Sequence, residues 1–342
     1  MLELLAQNVD SVAAHLRKLD WISADEDLLA LEPAGAGNMN RTLRARLPKR
    51  TLVLKQSVPF VAKYPGIPAP ADRIAVEAAF YRATTKPPAL SMRLPRVLGF
   101  DPDNRLLALE DLGESADFSD IYAHRSDAAQ RTDITSGHMT ALLYWIGMLH
   151  GLRIDARRLP ELENREMRRL NHAHIFDIPL RTDNGIDLDA TTPGLAAVAR
   201  DFCGDAALRE RVSALGEIYL GNAQHASPRA LLHGDYYPGS WLRHPRMGVM
   251  IIDPEFAFVG PPEFDIGVLI AHFTFARIPQ NALMLALSSY NAPARFSFPL
   301  ALAFGGVEVI RRLLGVAQLP LAADLETKRA WLVTARQFAT AS

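Results

Sequence analysis

Hydrophobic and polar positions near the N-terminus fall into short blocks. Residues 28–32, 41–46 and 51–56 are three extended stretches separated by turn-forming residues, the pattern of a small antiparallel meander. Ahead of them, Glu3, Asp10, Arg17, Lys18 and Asp20 interrupt the apolar positions and predict a short amphipathic helix. Behind them, residues 64–70 are proline-rich and read as a loop, and residues 71–84, free of glycine and proline, read as a helix. Residues 96–100 and 105–110 make two more strands around the turn Asp101-Pro102-Asp103-Asn104. The chain up to Glu110 is therefore expected to form a sheet with one helix inserted in it.

The pattern then changes from sheet to helix. Residues 133–152 predict a long helix that is apolar nearly all round in its second half, as at the centre of a larger core. Residues 177–193 are loop-like, 208–223 helical, and 230–233 and 249–252 short apolar strands. The remainder is mostly helical, ending in 306–316 and 325–339. The fold class is α+β, with an N-terminal lobe over 1–112 and a larger, mainly helical lobe over 113–342.

Composition narrows the function. A chain of 342 residues with 49% hydrophobic and 22% charged residues is globular and long enough for two lobes. Lysine plus arginine count 37 against 38 for aspartate plus glutamate, so no global field draws nucleic acid or an anionic membrane. Any anion must be held by a local site. Cys203 is the only cysteine, which excludes an internal disulfide framework and points to a reducing compartment. Residues 140–152 and 299–310 fall short of the roughly 18 apolar residues of a membrane span, so a soluble, cytoplasmic protein is expected.

Candidate chemistry concentrates in two places. In Leu231-Leu232-His233-Gly234-Asp235 and Val249-Met250-Ile251-Ile252-Asp253-Pro254-Glu255, an apolar strand ends in a carboxylate, and the spacing predicts that the two strands pair as a hairpin. Such strand ends suit phosphoryl transfer: one carboxylate orients a hydroxyl while others hold magnesium against phosphate oxygens. Asp235 and Asp253 are the candidates, with Glu255 a second oxygen ligand and Ser240, five residues after Asp235, a weaker one. His233 is expected to pin the loop through a backbone hydrogen bond, and Asp265 to anchor it.

In the N-terminal sheet, Gly35-Ala36-Gly37-Asn38-Met39-Asn40 lies between two strands, and its amides can form a nest for phosphate. Lys55 is a lone cation on an apolar strand, and Glu77 in the following helix is its natural partner. No lysine and Ser/Thr pair follows the glycines, so this is not a Walker A loop.

These residues, in this order, resemble the protein-kinase-like small-molecule kinases of the aminoglycoside phosphotransferase and choline kinase superfamily, and within it the 5-methylthioribose kinase family. Gly37-Asn38-Met39-Asn40 is similar to that family's glycine loop, and Val53-Leu54-Lys55-Gln56-Ser57-Val58-Pro59-Phe60 to its lysine strand. Leu109-Glu110-Asp111-Leu112 is similar to its interlobe hinge, Asp253-Pro254-Glu255-Phe256-Ala257-Phe258-Val259-Gly260-Pro261 to its metal loop, and residues 308–317 to a C-terminal helix bearing a tandem arginine pair. The resemblance implies a bilobal protein-kinase-like fold using ATP and Mg2+. By position, Asp235 is the base and also meets substrate; Gly35, Gly37, Asn38, Asn40, Lys55, Glu77, Glu110 and Leu112 serve ATP. Asp253, Glu255 and, more weakly, Ser240 serve the metal, while Tyr237, Arg311 and Arg312 serve the substrate. Two adjacent arginines on a helix point about 100° apart, and their apolar neighbours place at least one at a cleft edge.

The departures fall on the substrate side. Tyr236-Tyr237-Pro238 replaces Leu-His-Thr of the family's catalytic loop, an aromatic pair expected to reshape the pocket beside the base. Tyr64-Pro65-Gly66-Ile67-Pro68 replaces a tryptophan-bearing loop. The expected activity is transfer of the γ-phosphate of ATP to a hydroxyl of 5-methylthioribose or a related furanose. Another small alcohol, sugar or aminoglycoside is the alternative acceptor, though an arginine pair opposes a cationic one; a catalytically silent nucleotide-binding protein is the alternative of another class. The expected partners are ATP and a small hydroxyl-bearing molecule, with a homodimer left open.

Overall fold

A computed structural model describes residues 2–35, 37, 39–123 and 133–341. Helix α1 (Val9–Lys18) buries Val12, Ala13 and Leu16 on one face. The strands β1 (Ala30–Pro33), β2 (Arg41–Arg46), β3 (Thr51–Gln56), β4 (Phe60–Val61) and β5 (Tyr64–Pro68) follow, then the helices α2 (Arg73–Thr84) and α3 (Pro88–Ser91), and β6 (Val97–Asp101) and β7 (Leu106–Glu110). Five of these strands form an antiparallel sheet in the order β1-β2-β3-β7-β6. The meander, inserted helix and added strands are as the sequence predicts. Residues 64–70 are not simply a loop: β5 pairs with β4, because proline is tolerated in a short two-stranded ribbon that has no central strand.

The two faces of the sheet belong to different cores. Leu52, Leu54, Leu106 and Ala108 join Leu16 and Leu31 in a small cluster under α1. Leu107 and Leu109, on the other face of β7, join a large cluster that runs through α2 into the helical part of the chain. That part begins with β8 (Ala116–Asp117) and α4 (Ser136–His150), whose ends fall inside the predicted 133–152. It continues with α5 (Arg165–His172), α6 (Leu195–Gly204) and α7 (Ala206–Leu220), of which only the last matches a helix expected from the sequence, at 208–223.

The strands that deliver the carboxylates pair differently from the sequence expectation. Among β9 (Ala230–Leu232), β10 (Trp241–His244), β11 (Gly248–Ile251) and β12 (Phe258–Gly260), β9 pairs with β12 and β10 with β11. The hairpin of residues 230–233 with 249–252 does not form. Runs of three or four apolar residues, buried on both faces, carry no signal that selects a partner.

The chain ends in α8 (Glu263–Phe275), α9 (Gln280–Leu287), α10 (Phe298–Leu314) and α11 (Leu325–Thr340). Helices α8 and α10 cross at glycines: a Cβ on Gly267 would lie 2.6 Å from the Ala301 carbonyl oxygen and 2.7 Å from the Gly305 nitrogen. This close approach lets side chains one turn or more along each helix meet in the site. Among the described residues, no helix is long and apolar enough to cross a membrane.

Candidate active site

Asp235 sits on a loop fixed from below. Asp265, at the start of α8, accepts the backbone N–H groups of His233 at 2.7 Å and Gly234 at 3.0 Å. Gly234 has φ +82°, and a Cβ there would lie 2.1 Å from the Phe256 carbonyl oxygen, so only glycine allows the two carboxylate loops to approach. His233 Nε2 donates to the Ile252 carbonyl at 3.0 Å, and burial holds this histidine below its ordinary pKa. Ser240 Oγ donates to the Asp235 carbonyl at 3.0 Å, and the Ile252 amide donates to the Ser240 carbonyl at 3.0 Å. The two loops, framed by the β9–β12 and β10–β11 pairings, are thus stitched together, with His233 and Asp265 placed as the sequence predicts.

Across from this loop, Lys55 Nζ lies 2.6 and 2.7 Å from the two oxygens of Glu77 and 2.8 Å from Asp253 Oδ1. Burial opposes the lysine's charge, but Asp253, Glu77 and Glu255 outweigh it and hold its pKa above the usual range. Asp253 has left-handed backbone, φ 61°, tolerated by aspartate better than by most residues, which turns the half-buried carboxylate back toward Lys55.

Glu255 is buried and held by three partners. Asn40 Nδ2 donates to its Oε2 at 2.9 Å, and Arg73 Nε lies 3.3 Å from the same oxygen. Asn164 Nδ2 donates to the Glu255 and Ala257 carbonyls at 3.1 and 3.0 Å. Arg73, fully buried in α2, also donates to Asn40 Oδ1 at 2.8 Å and to the carbonyls of Val58 and Pro70 at 2.7 Å each. Burial, reinforced by the Glu77 charge, pushes the Glu255 carboxyl up to about 8. A cation beside it would favour its charged form. Asp253 and Glu255 on one loop offer the hard oxygen donors that magnesium takes together with phosphate oxygens and water; no cluster of three or more His, Cys, Asp or Glu arranged for a metal occurs among the described residues.

The arginine pair meets Asp235. Arg312 lies 3.3 Å and Arg311 3.8 Å from Asp235 Oδ1, and both are buried. Burial raises the Asp235 carboxyl from its ordinary value while the two guanidiniums pull against that rise. Tyr237 lies beneath the Arg312 guanidinium, 4.8 Å from the ring centre. Tyr236 does not share this wall. It is buried, stacks on Trp145 and donates its hydroxyl to the Leu142 carbonyl at 3.0 Å, so the expected aromatic pair reduces to Tyr237.

The remaining candidates are spread along the sheet. Gly35 and Gly37 lie in the exposed turn between β1 and β2, while Asn40, at its end, turns its side chain inward to Glu255 and Arg73. Asn38 lies outside the described residues. Glu110 ends β7, its carboxylate on Arg96 at 3.1 Å, and Leu112 follows as the chain leaves the sheet. Four residues that sequence reasoning passed over hold the site together: Arg73, Asn164, Glu308 and His272. Glu308 has a visible signal, a lone carboxylate in the apolar run Val307-Glu308-Val309-Ile310 one turn before two arginines.

A lysine–glutamate pair against one of two stitched carboxylate loops and an arginine pair against the other, between an antiparallel sheet and a helical region, define a kinase-like phosphotransferase. The chain belongs to the phosphotransferase enzyme family (APH), whose model matches residues 30–296. It is similar to the methylthioribose kinase of Exiguobacterium sibiricum, 26% identical over 339 residues that cover 86% of this chain and 81% of that protein. It is also similar to methylthioribose kinase 2 of Oryza sativa subsp. japonica, 26% identical over 271 residues, 75% of this chain and 58% of that one. Among solved structures, LicA in complex with AMP shares the fold, with a TM-score of 0.55 at 11% identity over 98% of this chain and 100% of that one.

Proposed function

We propose that this protein transfers the γ-phosphate of ATP to a hydroxyl of 5-methylthioribose or a closely related furanose. The observation that supports this reading best is the meeting of Asp235 with the Arg311 and Arg312 pair, in a chain similar over most of its length to methylthioribose kinases. Residues 1–112 serve as the nucleotide lobe and 113–342 as the catalytic and acceptor lobe. Asp235 accepts the acceptor's hydroxyl proton as the oxygen attacks the γ-phosphorus, and Arg311 and Arg312, with Tyr237, hold the sugar's other hydroxyls. Lys55, kept charged and aimed by Glu77, holds the α- and β-phosphates; the turn at Gly35 and Gly37 covers them, and the backbone at Glu110 and Leu112 receives adenine. Asp253 and Glu255 and, more weakly, Ser240 would hold Mg2+, which when bound neutralises phosphate charge. A coupled ADP-release assay across methylthioribose, ribose derivatives, choline-like alcohols and aminoglycosides tests this. ADP release dependent on methylthioribose is expected. Faster turnover of another acceptor overturns the substrate, and no release with any acceptor overturns the kinase reading in favour of a silent nucleotide-binding protein.

A further inference from the structure

Adjacent residues on a helix diverge by about 100°, yet the guanidiniums of Arg311 and Arg312 converge on one oxygen of Asp235. The agent of that convergence is Glu308, one turn earlier on α10. Its Oε2 takes Arg311 Nη1 at 3.0 Å, and its Oε1 takes Arg312 Nε at 2.6 Å. The i,i+3 and i,i+4 spacings put both arginines within reach of a single carboxylate lying between them.

Glu308 is itself held from behind. His272 Nε2 of α8 lies 3.2 Å from Glu308 Oε1, and His272 Nδ1 is in hydrogen-bond contact with the Tyr122 hydroxyl. A charged carboxylate only accepts, so Nε2 carries the proton, and Nδ1 of the neutral ring accepts from Tyr122. Burial holds His272 down at about 4, and the two arginines hold Glu308 well below the usual carboxylate range. Within this buried set, two guanidiniums face two carboxylates, Glu308 and Asp235, and the imidazole adds no charge.

The geometry points to Glu308 as the positioning residue of the acceptor site: it holds the arginine pair in place and, by competing for both guanidiniums, limits their hold on Asp235 to one 3.3 Å hydrogen bond from Arg312 and a 3.8 Å approach by Arg311. This rests on the reading of Asp235 as the base and of Arg311 and Arg312 as acceptor ligands. Without the Glu308 charge, Asp235 is the remaining carboxylate within reach of both arginines in this set. They would tighten onto it in a two-hydrogen-bond pair, occupying the base and withdrawing from the acceptor.

Glu308→Gln tests this. Its KM for the acceptor should rise about 10- to 100-fold, the cost of misplacing a binding group by roughly an ångström, while its KM for ATP stays within about twofold, since the lysine site is untouched. Glu308→Asp, which keeps the charge, should recover a large part of the loss and serves if the glutamine variant folds poorly. Equal losses for both substrates, or none for either, would overturn the proposal. A crystal structure of the glutamine variant gives a readout apart from turnover: Arg311 or Arg312 should form a two-hydrogen-bond pair with Asp235, and unmoved guanidiniums would also overturn it. If the wild-type enzyme ignores methylthioribose, the substrate reading fails while the structural readout still decides the role of Glu308.

Discussion

Arg73 Nε lies 3.3 Å from Glu255 Oε2, both side chains buried where the inserted helix meets the second carboxylate loop. The same guanidinium ties down Asn40, at the end of the glycine-rich turn, and the carbonyls of Val58 and Pro70. Arg73→Met leaves Glu255 with Asn40 as its side-chain donor but no guanidinium beside it, and leaves the carbonyls of Val58 and Pro70 without the Arg73 donor. Each buried acceptor left unsatisfied costs about 1–3 kcal/mol, so urea denaturation should show a loss of a few kcal/mol. Arg73→Lys should recover little, because an ammonium cannot reproduce the planar fork. A methionine variant as stable as wild type would show that the pair contributes nothing.

Lys55 and Glu77 allow fold and function to be separated. Lys55→Met alone strands the buried Glu77 carboxylate beside Asp253 and should destabilise the protein strongly. Replacing both members of a buried pair by apolar residues is often neutral, so Lys55→Met combined with Glu77→Leu should regain much of the lost stability while phosphoryl transfer stays abolished. Thermal melts and the ADP-release assay on the three variants check this, and recovery of activity in the double variant would remove Lys55 from the phosphate site.

Glu255 gives the metal-free protein a distinctive pH dependence. Its carboxyl moves from an ordinary 4.5 to about 8 on folding. Between those values the native state keeps a proton that the unfolded chain has released, so stability falls as pH rises. The contribution is fully present below about 4.5 and lost on passing 8. Glu255→Gln stays neutral throughout. In chelator, wild-type stability should therefore drop between pH 5.5 and 8 by on the order of 3 kcal/mol more than that of the variant; parallel curves would contradict it.

Asp235→Asn keeps the shape of the loop and its anchor at Asp265 while removing a proton acceptor. Turnover should fall about 100- to 10,000-fold, the range for a lost general base. Binding of ADP, measured by calorimetry, should change little, since Asp235 faces the arginines and Lys55 faces Asp253. Unchanged turnover would exclude Asp235 as the base.

What the sequence made legible was local. Lys55 with Glu77, the loop from Asp253 to Glu255 and the arginine pair each announce themselves by a charged group at the end of, or inside, an apolar run. The pairing of β9 with β12 was hidden because short, doubly buried strands look alike to any partner. Arg73 and Asn164 were hidden for a different reason: each looks like an ordinary helix or loop residue, and its importance comes from carbonyls and carboxylates far away in the chain. Tyr236 and Tyr237 were indistinguishable as neighbours, and only the alternation of the loop sends one to Trp145 and the other to Arg312.

The division of the sheet between two cores also guards against misassembly. Leu54 points into the small cluster under α1, and its neighbour Lys55 points the opposite way, to Glu77. A slip of β3 by a single residue would exchange them, driving an ammonium into an aliphatic layer and leaving a buried glutamate with no counter-ion. The charge that is proposed to hold phosphate in the finished enzyme thus also acts during folding as a proofreader of strand alignment.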